Sequence, residues 1–358
     1  MSMQIKVKRG VLLETLGKVK SAVPTRSTLP VLENVLLTAA KGQFTITSNN
    51  LEVVVIGTCK AQISEDGGIA VSPKVLEGFL KQVDAESVSL VVKRNKLSVE
   101  AGSASSTIEG FLPKDFPPIP KVMGEPITLY NLDKAIGEVL YAAAKEDLRP
   151  VLNGICLTPK GNGVELATAD GYRLAITSLR SRGKFPEQVI VPSLTASLVK
   201  KLFSGNVITS VWGKDGDKAI GFHQNNGLTI VARTITGSYP KYESLVPKKG
   251  RLLKVAAGDL LKAVRTVMTI KPAHDTIRLQ TKGRQLVVSG KNDGSGEIKI
   301  MVPAEGRIKS AFPGPMLVDL LNRVGDIFTL RKEISPTSPG VVRNNGTVHV
   351  LMPNNVTW

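Results

Sequence analysis

The sequence predicts an α+β protein of three similar tandem domains, each with two helices packed on antiparallel sheets. The first observation is an internal repeat. The runs LENVLL (32–37), LNGICL (152–157) and DTIRLQ (275–280) recur at offsets of 120 residues (152 − 32) and 123 residues (275 − 152). The second observation is that short helical and strand-like segments alternate with tight turns inside each interval. The third is the length of 358 residues, which exceeds one ordinary core.

Each repeat contains two predicted helices. In the first helix of the chain, the apolar residues between Leu12 and Val19 have the spacing of one helix face. In the second, Ser72 is a favourable N-cap and Pro73 suits the first helical position. The predicted helices are 10–23, 72–83, 132–145, 193–203, 258–270 and 314–324.

The other apolar runs are predicted to be short strands, about eight in each domain. They are predicted to be mostly antiparallel because the turns between them are tight. The run 29–39 is predicted to be one strand ahead of the Lys41-Gly42 turn, and 149–159 is its counterpart in the second repeat. IFTLRKE (327–333) is expected to form the final hairpin with TVHVLMP (347–353).

Two proline-containing stretches read as extended linkers, namely FLPKDFPPIPKV (111–122) and GSYPKYESLVP (237–247). They delimit the repeats, so the predicted domains are 1–120, 121–247 and 248–358.

The charge is strongly basic and unevenly distributed. The net charge is +17, and residues 246–358 hold 18 basic and 8 acidic residues, which gives +10 in that part alone. Such a field attracts polyanions, nucleic acid first. Two cysteines in strand-like runs, the lack of a signal-peptide pattern and the lack of a long apolar span indicate a cytoplasmic protein without a membrane segment.

Basic residues exceed acidic ones on the polar faces of the helices of all three repeats, with Lys81 in the first and Lys201 in the second as examples. A single helix of this kind would be an ordinary solvated face. The excess on all three pairs favours one positive surface that follows phosphates without reading bases.

Motifs for catalysis or metal binding are not found. His223, His274 and His349 lack metal-ligand spacing, and no nucleophile elbow or phosphate-binding glycine loop is present. Asp147 and Asp170 could form a carboxylate pair, but a cap or turn role is favoured, because Asp before Gly commonly makes an Asx-turn. The sequence therefore predicts a protein that is not an enzyme and carries no cofactor or metal.

Six motifs in order make the chain resemble the bacterial DNA polymerase III β sliding clamp family. They are TLPVLENVLL, DLRPVLNGICL, ATADGYRLA, GSYPKYESLVP, the SPGVV segment and a terminal hydrophobic-Met-Pro sequence. The resemblance covers essentially the whole chain, including the threefold repeat.

This resemblance implies the DNA clamp fold and a head-to-tail homodimer that forms a closed ring. Such a ring encircles duplex DNA without sequence preference, slides, and tethers the replicative DNA polymerase. An ATP-dependent clamp loader opens it. The alternative left open is a clamp-like protein that binds DNA directly through its basic surface, as a monomer or weak dimer.

The resemblance also implies two sets of site residues. Those matching the family's pocket for a partner peptide are Leu152, Gly171, Tyr172, Arg173, Leu174, Pro240, Leu245, Met316, Val350, Met352 and Pro353. Those matching DNA-contacting positions are Arg26, Lys81, Arg149 and Lys201.

Three departures from the family pattern are visible. The chain is basic where clamps are commonly acidic, and after Met352-Pro353 it ends in Asn354-Asn355-Val356-Thr357-Trp358. The expected dimer edges, 103–110 and 293–300, lack the usual opposite charges, so either a weaker dimer or one held by backbone pairing and apolar contact is expected. The third repeat also lacks the Asp170-Gly171 corner and the Arg-Leu after it, which we interpret as evidence that the corner serves binding.

Overall fold

The computed structural model describes residues 2–145, 149–214, 216–292, 294 and 296–358. The chain divides into two compact units. Unit 1 comprises Met1–Asp133, Ser181–Pro186 and Leu194–Thr236. Unit 2 comprises Lys134–Arg180, Glu187–Ser193 and Gly237–Trp358. The domain boundaries predicted from the repeat stay a prediction.

All six predicted helices are present, with ends that differ by a few residues. The first helices of the first and second repeats are shorter than predicted because 3₁₀ turns follow them, at Lys20–Ala22 and Leu140–Ala142. The Ser72 hydroxyl accepts a hydrogen bond from the Val75 N–H, as expected of an N-cap. The helices are α1 Arg9–Val19, α2 Pro73–Gln82, α3 Leu132–Val139, α4 Ser193–Leu202, α5 Ala257–Met268 and α6 Gly314–Leu321.

The described residues form 25 strands. Those of the first repeat are β1 Ser2–Lys8, β2 Val35–Ala40, β3 Gln43–Asn49, β4 Val53–Cys59, β5 Ala61–Glu65, β6 Gly67–Val71, β7 Ser87–Lys93, β8 Lys96–Ala101 and β9 Ala104–Phe111. Those of the second are β10 Ile127–Leu129, β11 Gly154–Lys160, β12 Gly163–Ala169, β13 Arg173–Arg182, β14 Val189–Pro192, β15 Val207–Trp212, β16 Ala219–Gln224 and β17 Leu228–Arg233. Those of the third are β18 Arg251–Ala256, β19 Thr276–Lys282, β20 Gln285–Asn292, β21 Gly296–Gly306, β22 Lys309–Pro313, β23 Ile327–Lys332, β24 Gly340–Asn344 and β25 Thr347–Leu351.

The sheets of both units are antiparallel. In unit 1 the strand orders are β5-β1-β7-β8-β9 and β6-β2-β3-β4-β17-β16-β15-β10. In unit 2 they are β14-β11-β12-β13-β25-β24-β23-β18 and β22-β19-β20-β21. Strands of the second repeat therefore extend a sheet of the first repeat through β4–β17, and a sheet of the third repeat through β13–β25.

The core of the third repeat lies between its helices and its strands. It includes Leu260 and Val264 of α5, Leu317 of α6 and Phe312 and Phe328 of the strands, all fully or almost fully buried. Burial of such side chains stabilises each by about 1.5–3 kcal/mol relative to exposure. This packing fixes α6 against the sheet whose outer edge forms part of the site described below.

Two predicted strands are partly wrong at their beginnings. Pro30–Glu33 and Pro150–Leu152 are 3₁₀ turns, and the strands start only at β2 and β11. A proline has no N–H for a strand ladder, whereas the i→i+3 bond from Leu32 N to Leu29 O, 3.0 Å long, suits a tight turn.

The predicted final hairpin is also wrong. β24, formed by the SPGVV segment, lies between β23 and β25 and pairs with both. Glycine and proline next to this run made it resemble a loop, but its Val-Val core is buried in the sheet.

The first and second repeats share a hydrogen bond between a strand hydroxyl and a helix end. The buried Ser48 hydroxyl donates to the Val19 carbonyl at 2.7 Å, and the Thr168 hydroxyl donates to the Val139 carbonyl at 2.5 Å. Each hydroxyl binds a carbonyl at the C-terminal end of a helix, α1 or α3, and so links that helix end to a strand. None of the helices in the described ranges is long and apolar enough to cross a bilayer.

Candidate functional site

The corner between β12 and β13 is built by Asp170. Its Oδ1 accepts hydrogen bonds from the backbone N–H groups of Tyr172 and Arg173, both at 2.9 Å. Gly171 between them has φ +90°, a conformation that side chains disfavour. The Asx-turn predicted for Asp170 is therefore confirmed, while Asp147 lies outside the described residues.

Arg173 ties this corner to helix α6. Its Nε donates to Asp170 Oδ2 at 2.9 Å, and its Nη1 donates to Asp319 Oδ2 at 2.7 Å. Burial by itself would lower the pKa of Arg173, but the hydrogen bonds and charges of Asp319 and Asp170 outweigh it and the pKa rises. With 12% of its side chain exposed, Arg173 holds the corner in place and is not a free donor at a rim.

Two guanidinium groups contact the ring of Tyr141, near the corner. The Arg323 guanidinium carbon is 3.9 Å from the ring centre and that of Arg173 is 5.2 Å away. The Tyr141 hydroxyl is 2.9 Å from His349 Nδ1. Burial raises the pKa of Tyr141, and burial together with the Arg323 charge lowers the pKa of His349 to about 4. His349 is therefore neutral at pH 7. The charged groups of this cluster are the two arginines and the carboxylates that contact them.

Strand pairing brings the predicted C-terminal pocket residues to the corner. Leu174 is opposite Val350 in the β13–β25 pair, and Met352 N donates to Tyr172 O at 2.8 Å. Leu152, Leu174 and Val350 are buried, so they form the core below the site. Tyr172 by contrast is 62% exposed.

A groove of about 680 Å³ lies beside Tyr172. Three predicted pocket residues line it, Tyr172, Met316 and Pro353. Its remaining walls come from the start of β19, the end of β20, the end of β22 and the C-terminal tail, through Ala273, His274, Thr276, Arg278, Lys291, Pro313, Asn354, Asn355, Val356 and Thr357. These residues are not predicted by the sequence patterns. The alternation of polar and apolar residues along β19 and β20 is visible in the sequence. The register that joins the two strands is not.

Pro240 and Leu245 are exposed and are not among the residues that line this groove. Their segment is held by two buried tyrosines. Tyr242 donates from its hydroxyl to Glu165 Oε1 at 3.0 Å, and its ring meets that of Tyr239 edge-on at 6.1 Å.

Arg149, predicted for DNA, lies at the corner. A Cβ placed on Gly171 would be 3.2 Å from Arg149 Nη2. This puts an exposed guanidinium beside Tyr172, among the residues predicted for the partner peptide.

The other predicted DNA residues, Arg26, Lys81 and Lys201, are exposed in unit 1. Lys201 Nζ is 3.4 Å from the Ser21 hydroxyl, so the end of α4 lies beside the turn after α1. Lys81 and Lys20 both pair with Glu77, at 2.9 and 2.5 Å, and these lysines lower the pKa of Glu77. Part of the positive charge on these helices is therefore neutralised locally.

Comparison with known proteins agrees with this geometry. The N-terminal domain of the DNA polymerase III beta subunit matches residues 3–120, and its central domain matches residues 127–241. The beta sliding clamp of Pseudomonas aeruginosa is 28% identical over 98% of this chain and 99% of the relative. That of Streptomyces coelicolor is 26% identical over 97% of this chain and 95% of the relative.

Solved structures agree over the full length. A sliding clamp of Pseudomonas aeruginosa, solved with bound griselimycin, has 26% identity and a TM-score of 0.90, covering 99% of this chain and all of that one. Fold and site thus define a clamp-type protein. The chain belongs to the DNA polymerase III beta subunit family, the beta sliding clamps, as a divergent member.

Proposed function

We propose that this chain is a sliding clamp. Two copies join head to tail into a closed ring around duplex DNA and tether the replicative DNA polymerase, which gives processivity. An ATP-dependent clamp loader opens the ring. The chain itself catalyses no reaction, needs no cofactor and works in the cytoplasm. The observation that carries this proposal is the fold match to a solved clamp over 99% of the chain.

Sequence-independent DNA contact is supported by the lysines at the ends of α1, α2 and α4. Lys81 and Lys201 are exposed, and their long side chains offer charge without a fixed hydrogen-bond pattern for bases. Diffuse phosphate attraction of this kind leaves the ring free to slide. Arg26, exposed in the loop after α1, belongs to the same proposed set.

The self-contact is proposed to join the free edges of β9 and β21. Residues 104–109 of β9 pair on one side with β8, and residues 296–303 of β21 pair on one side with β20. Charges near these edges are already paired within the chain, Lys96 with Glu109 and Lys299 with Glu297. Met301 is 64% exposed. Added strand pairing and this apolar side chain would therefore hold the ring.

The partner site is proposed to be the groove beside Tyr172, with an extended hydrophobic peptide of a polymerase or loader as its occupant. Its mixed apolar and polar walls suit such a segment. Because the Arg149 guanidinium lies against Gly171, we assign Arg149 to the rim of this groove in preference to the DNA surface.

Retention on closed circular DNA tests the function. The protein is loaded on circular duplex DNA with a clamp loader, and the bound fraction is measured by gel filtration before and after the circle is cut. A clamp stays bound at moderate salt and leaves after linearisation.

A protein that binds DNA directly gives the opposite result. Its affinity falls steeply with salt and does not depend on ends. Analytical sedimentation, which gives the oligomeric state, is the second test. A monomer at micromolar concentration, with or without DNA, contradicts the closed ring.

A further inference from the structure

The sheet β22-β19-β20-β21 of the third repeat has one face on the helices and one outer face. Leu279 of β19 is buried in the core together with residues of α5 and α6. Side chains alternate along a strand, so Arg278, Gln280 and Lys282 lie on the outer face. Lys309 of β22 lies opposite Gln280 and therefore shares that face. Three cations thus stand on the outer face within two neighbouring strands.

The positive excess of the third repeat lies on its strands. Strands β18 to β25 contain ten basic and two acidic residues. Helices α5 and α6 contain two basic and two acidic residues, so their formal charges cancel. A polyanion that the third repeat attracts is therefore drawn to the sheet rather than to the helices.

The same face carries no charge in the first repeat. Strands β2, β3, β4 and β6, which correspond to β19, β20, β21 and β22, contain no charged residue in the described chain. Leu36 has the position of Arg278, because each lies opposite an alanine of the neighbouring strand. Two residues further along, Gly68 has the position of Lys309. The fold therefore does not require cations on this face.

The second repeat has a lysine on this face, but its charge is neutralised. Lys160, which has the position of Lys282, forms an ion pair with Glu165. In the third repeat Val287 has the position of Glu165. Lys282 and Lys309 are exposed, and no carboxylate among the described residues pairs with either of them. Both charges are therefore available to a ligand.

The C-terminal tail runs beside β22 and orders the cations at this edge. Asn354 N donates to Ala311 O of β22 at 2.8 Å. The Trp358 ring lies 5.8 Å from the Arg278 guanidinium carbon and 5.0 Å from Lys309 Nζ. The ring contacts both cations, and it therefore holds them side by side on the outer face.

We propose that the outer face binds the phosphate backbone of a duplex DNA segment, without sequence preference. Arg278 and Lys282 are four residues apart on β19 and therefore about 13 Å apart, with Lys309 between them on β22. One strand of B-DNA presents about four phosphates along that length. Glu297, a carboxylate on the same face, is already paired with Lys299 at 2.5 Å. A flat row of flexible cations follows phosphates without reading bases.

This contact goes beyond the proposed function. Lys81 and Lys201, proposed to contact DNA inside the ring, lie on helices of unit 1, whereas the outer face consists of strands of unit 2. A closed ring and a protein that binds DNA directly can both use it. Duplex DNA is favoured over an acidic protein segment, because its charges are regular and the three cations are evenly spaced.

Closed circular duplex DNA without a clamp loader tests the outer face, because it offers no end to a closed ring. Binding of the full-length protein to a labelled circle is measured by electrophoretic mobility shift at several salt concentrations. The double variant Lys282→Gln and Lys309→Gln should bind at least about tenfold more weakly at low salt. The slope of log affinity against log salt should fall in magnitude by about 2, because two phosphate contacts are lost. Arg278 stays unchanged, because it also lines the groove beside Tyr172.

Matched variants separate this face from net charge. The double variant Lys6→Gln and Lys93→Gln removes the same charge from exposed positions on β1 and β7 of unit 1. Its affinity should stay within about twofold and its slope should not change. The double variant Lys282→Arg and Lys309→Arg keeps the charge and should bind as the unchanged protein does. Circular dichroism checks that every variant is folded, and each single glutamine variant should show about half of the slope change.

Three outcomes overturn the proposal. The first is no binding of the circle by the unchanged protein. The second is an equal loss of affinity in the variant of Lys6 and Lys93. The third is displacement of the circle by a poly-glutamate peptide at a lower concentration than by linear duplex DNA, which would identify the face as a site for acidic protein.

Retention on circular DNA after loading is measured in parallel. Retention, together with loader-free binding that the changes at Lys282 and Lys309 leave intact, sinks this inference alone. Loader-free binding that depends on these two lysines, without retention, supports the outer face and sinks the clamp proposal.

Discussion

The two compact units contain the same corner, built with different side chains. In unit 1, Asn50 Oδ1 accepts hydrogen bonds from the N–H groups of Glu52 and Val53, at 3.1 and 2.8 Å, and Asn50 N donates to Val53 O. In unit 2, Asp170 makes the same three contacts with Tyr172 and Arg173. The corner therefore belongs to the fold of both units. Its absence from the third repeat is not sufficient evidence that it serves binding.

The side chains around the two corners differ in kind. At the position of buried His349, opposite Ala175 in the β13–β25 pair, the β4–β17 pair of unit 1 has buried Ile230 opposite Val55. The turn after α3 carries Tyr141, and the turn after α1 carries Ser21. The polar cluster under the corner is thus a property of unit 2. This difference, and not the corner itself, distinguishes the candidate partner site.

Asp170→Ala should have the largest effect. It removes both backbone contacts of the corner and leaves the largely buried Arg173 with one carboxylate. Breaking a mostly buried ion pair costs about 4 kcal/mol of unfolding free energy. Asn50→Ala removes only neutral hydrogen bonds and should cost about 1 kcal/mol. Urea unfolding monitored by circular dichroism measures both.

Asp170→Asn is the matched control, because it gives the corner of unit 2 the residue found in unit 1. It keeps the backbone contacts and removes the charge. An unfolding free energy as low as that of Asp170→Ala would mean that the ion pair with Arg173, and not the turn, stabilises the corner.

Acid should destabilise unit 2 through His349. The folded pKa is about 4, below the ordinary value of 6.5, so the unfolded chain takes up a proton first as the pH falls. Stability is fully present above pH 6.5 and is lost between pH 6.5 and pH 4, by up to about 3 kcal/mol. His349→Ile, which copies Ile230 of unit 1, should remove this part of the pH dependence. Denaturant midpoints of the unchanged protein and of His349→Ile at pH 7.5, 5.5 and 4.5 measure this loss. An equal fall of the midpoint with pH in both proteins contradicts the prediction.

Exchange of the residues at the corner tips should have smaller effects than Asp170→Ala and acid. Gly171→Ala forces a side chain into φ +90° and should cost about 1–2 kcal/mol. Leu51, with φ +73° and 56% exposure, is the strained counterpart. Leu51→Gly relieves about 1 kcal/mol of backbone strain in the folded state. It also raises the chain entropy of the unfolded state by a similar amount of free energy. The free energy of unfolding should therefore change by no more than about 0.5 kcal/mol. Thermal unfolding of both variants compares the tips directly.

Local patterns explain why much of the fold was predictable. Helix periodicity, the Ser72 N-cap and the spacing of the repeat are encoded within a few residues each, and all six helices follow from them. The turns at Pro30 and Pro150 were missed because apolar residues with β propensity surround each proline. β24 is not predicted because the prolines before it and its first residue, Gly340, resemble a loop.

The site was less predictable because its contacts are distant in sequence. The sequence predicts Arg173 as a residue of the partner-peptide pocket, but its hydrogen bond to Asp319, 146 residues away, makes it a largely buried structural residue. The cationic wall of the groove depends on the register that joins Arg278 and Lys291 across two strands. The position of Arg149 beside Gly171 depends on how two loops fold together. None of these is present in the local pattern of the chain.

Of the two tryptophans, Trp212 lines a groove and Trp358 contacts Arg278, which lines the other groove, and this makes them optical reporters. Trp358 is 46% exposed between Arg278 and Lys309 at the tail of unit 2. Trp212 lines a second groove, of about 380 Å³, in unit 1 together with Leu51 and Pro117. A ligand that displaces the tail would change the emission of Trp358 and leave that of Trp212 unchanged. With Trp212→Phe, intrinsic fluorescence would follow occupation of the Tyr172 groove without any added dye.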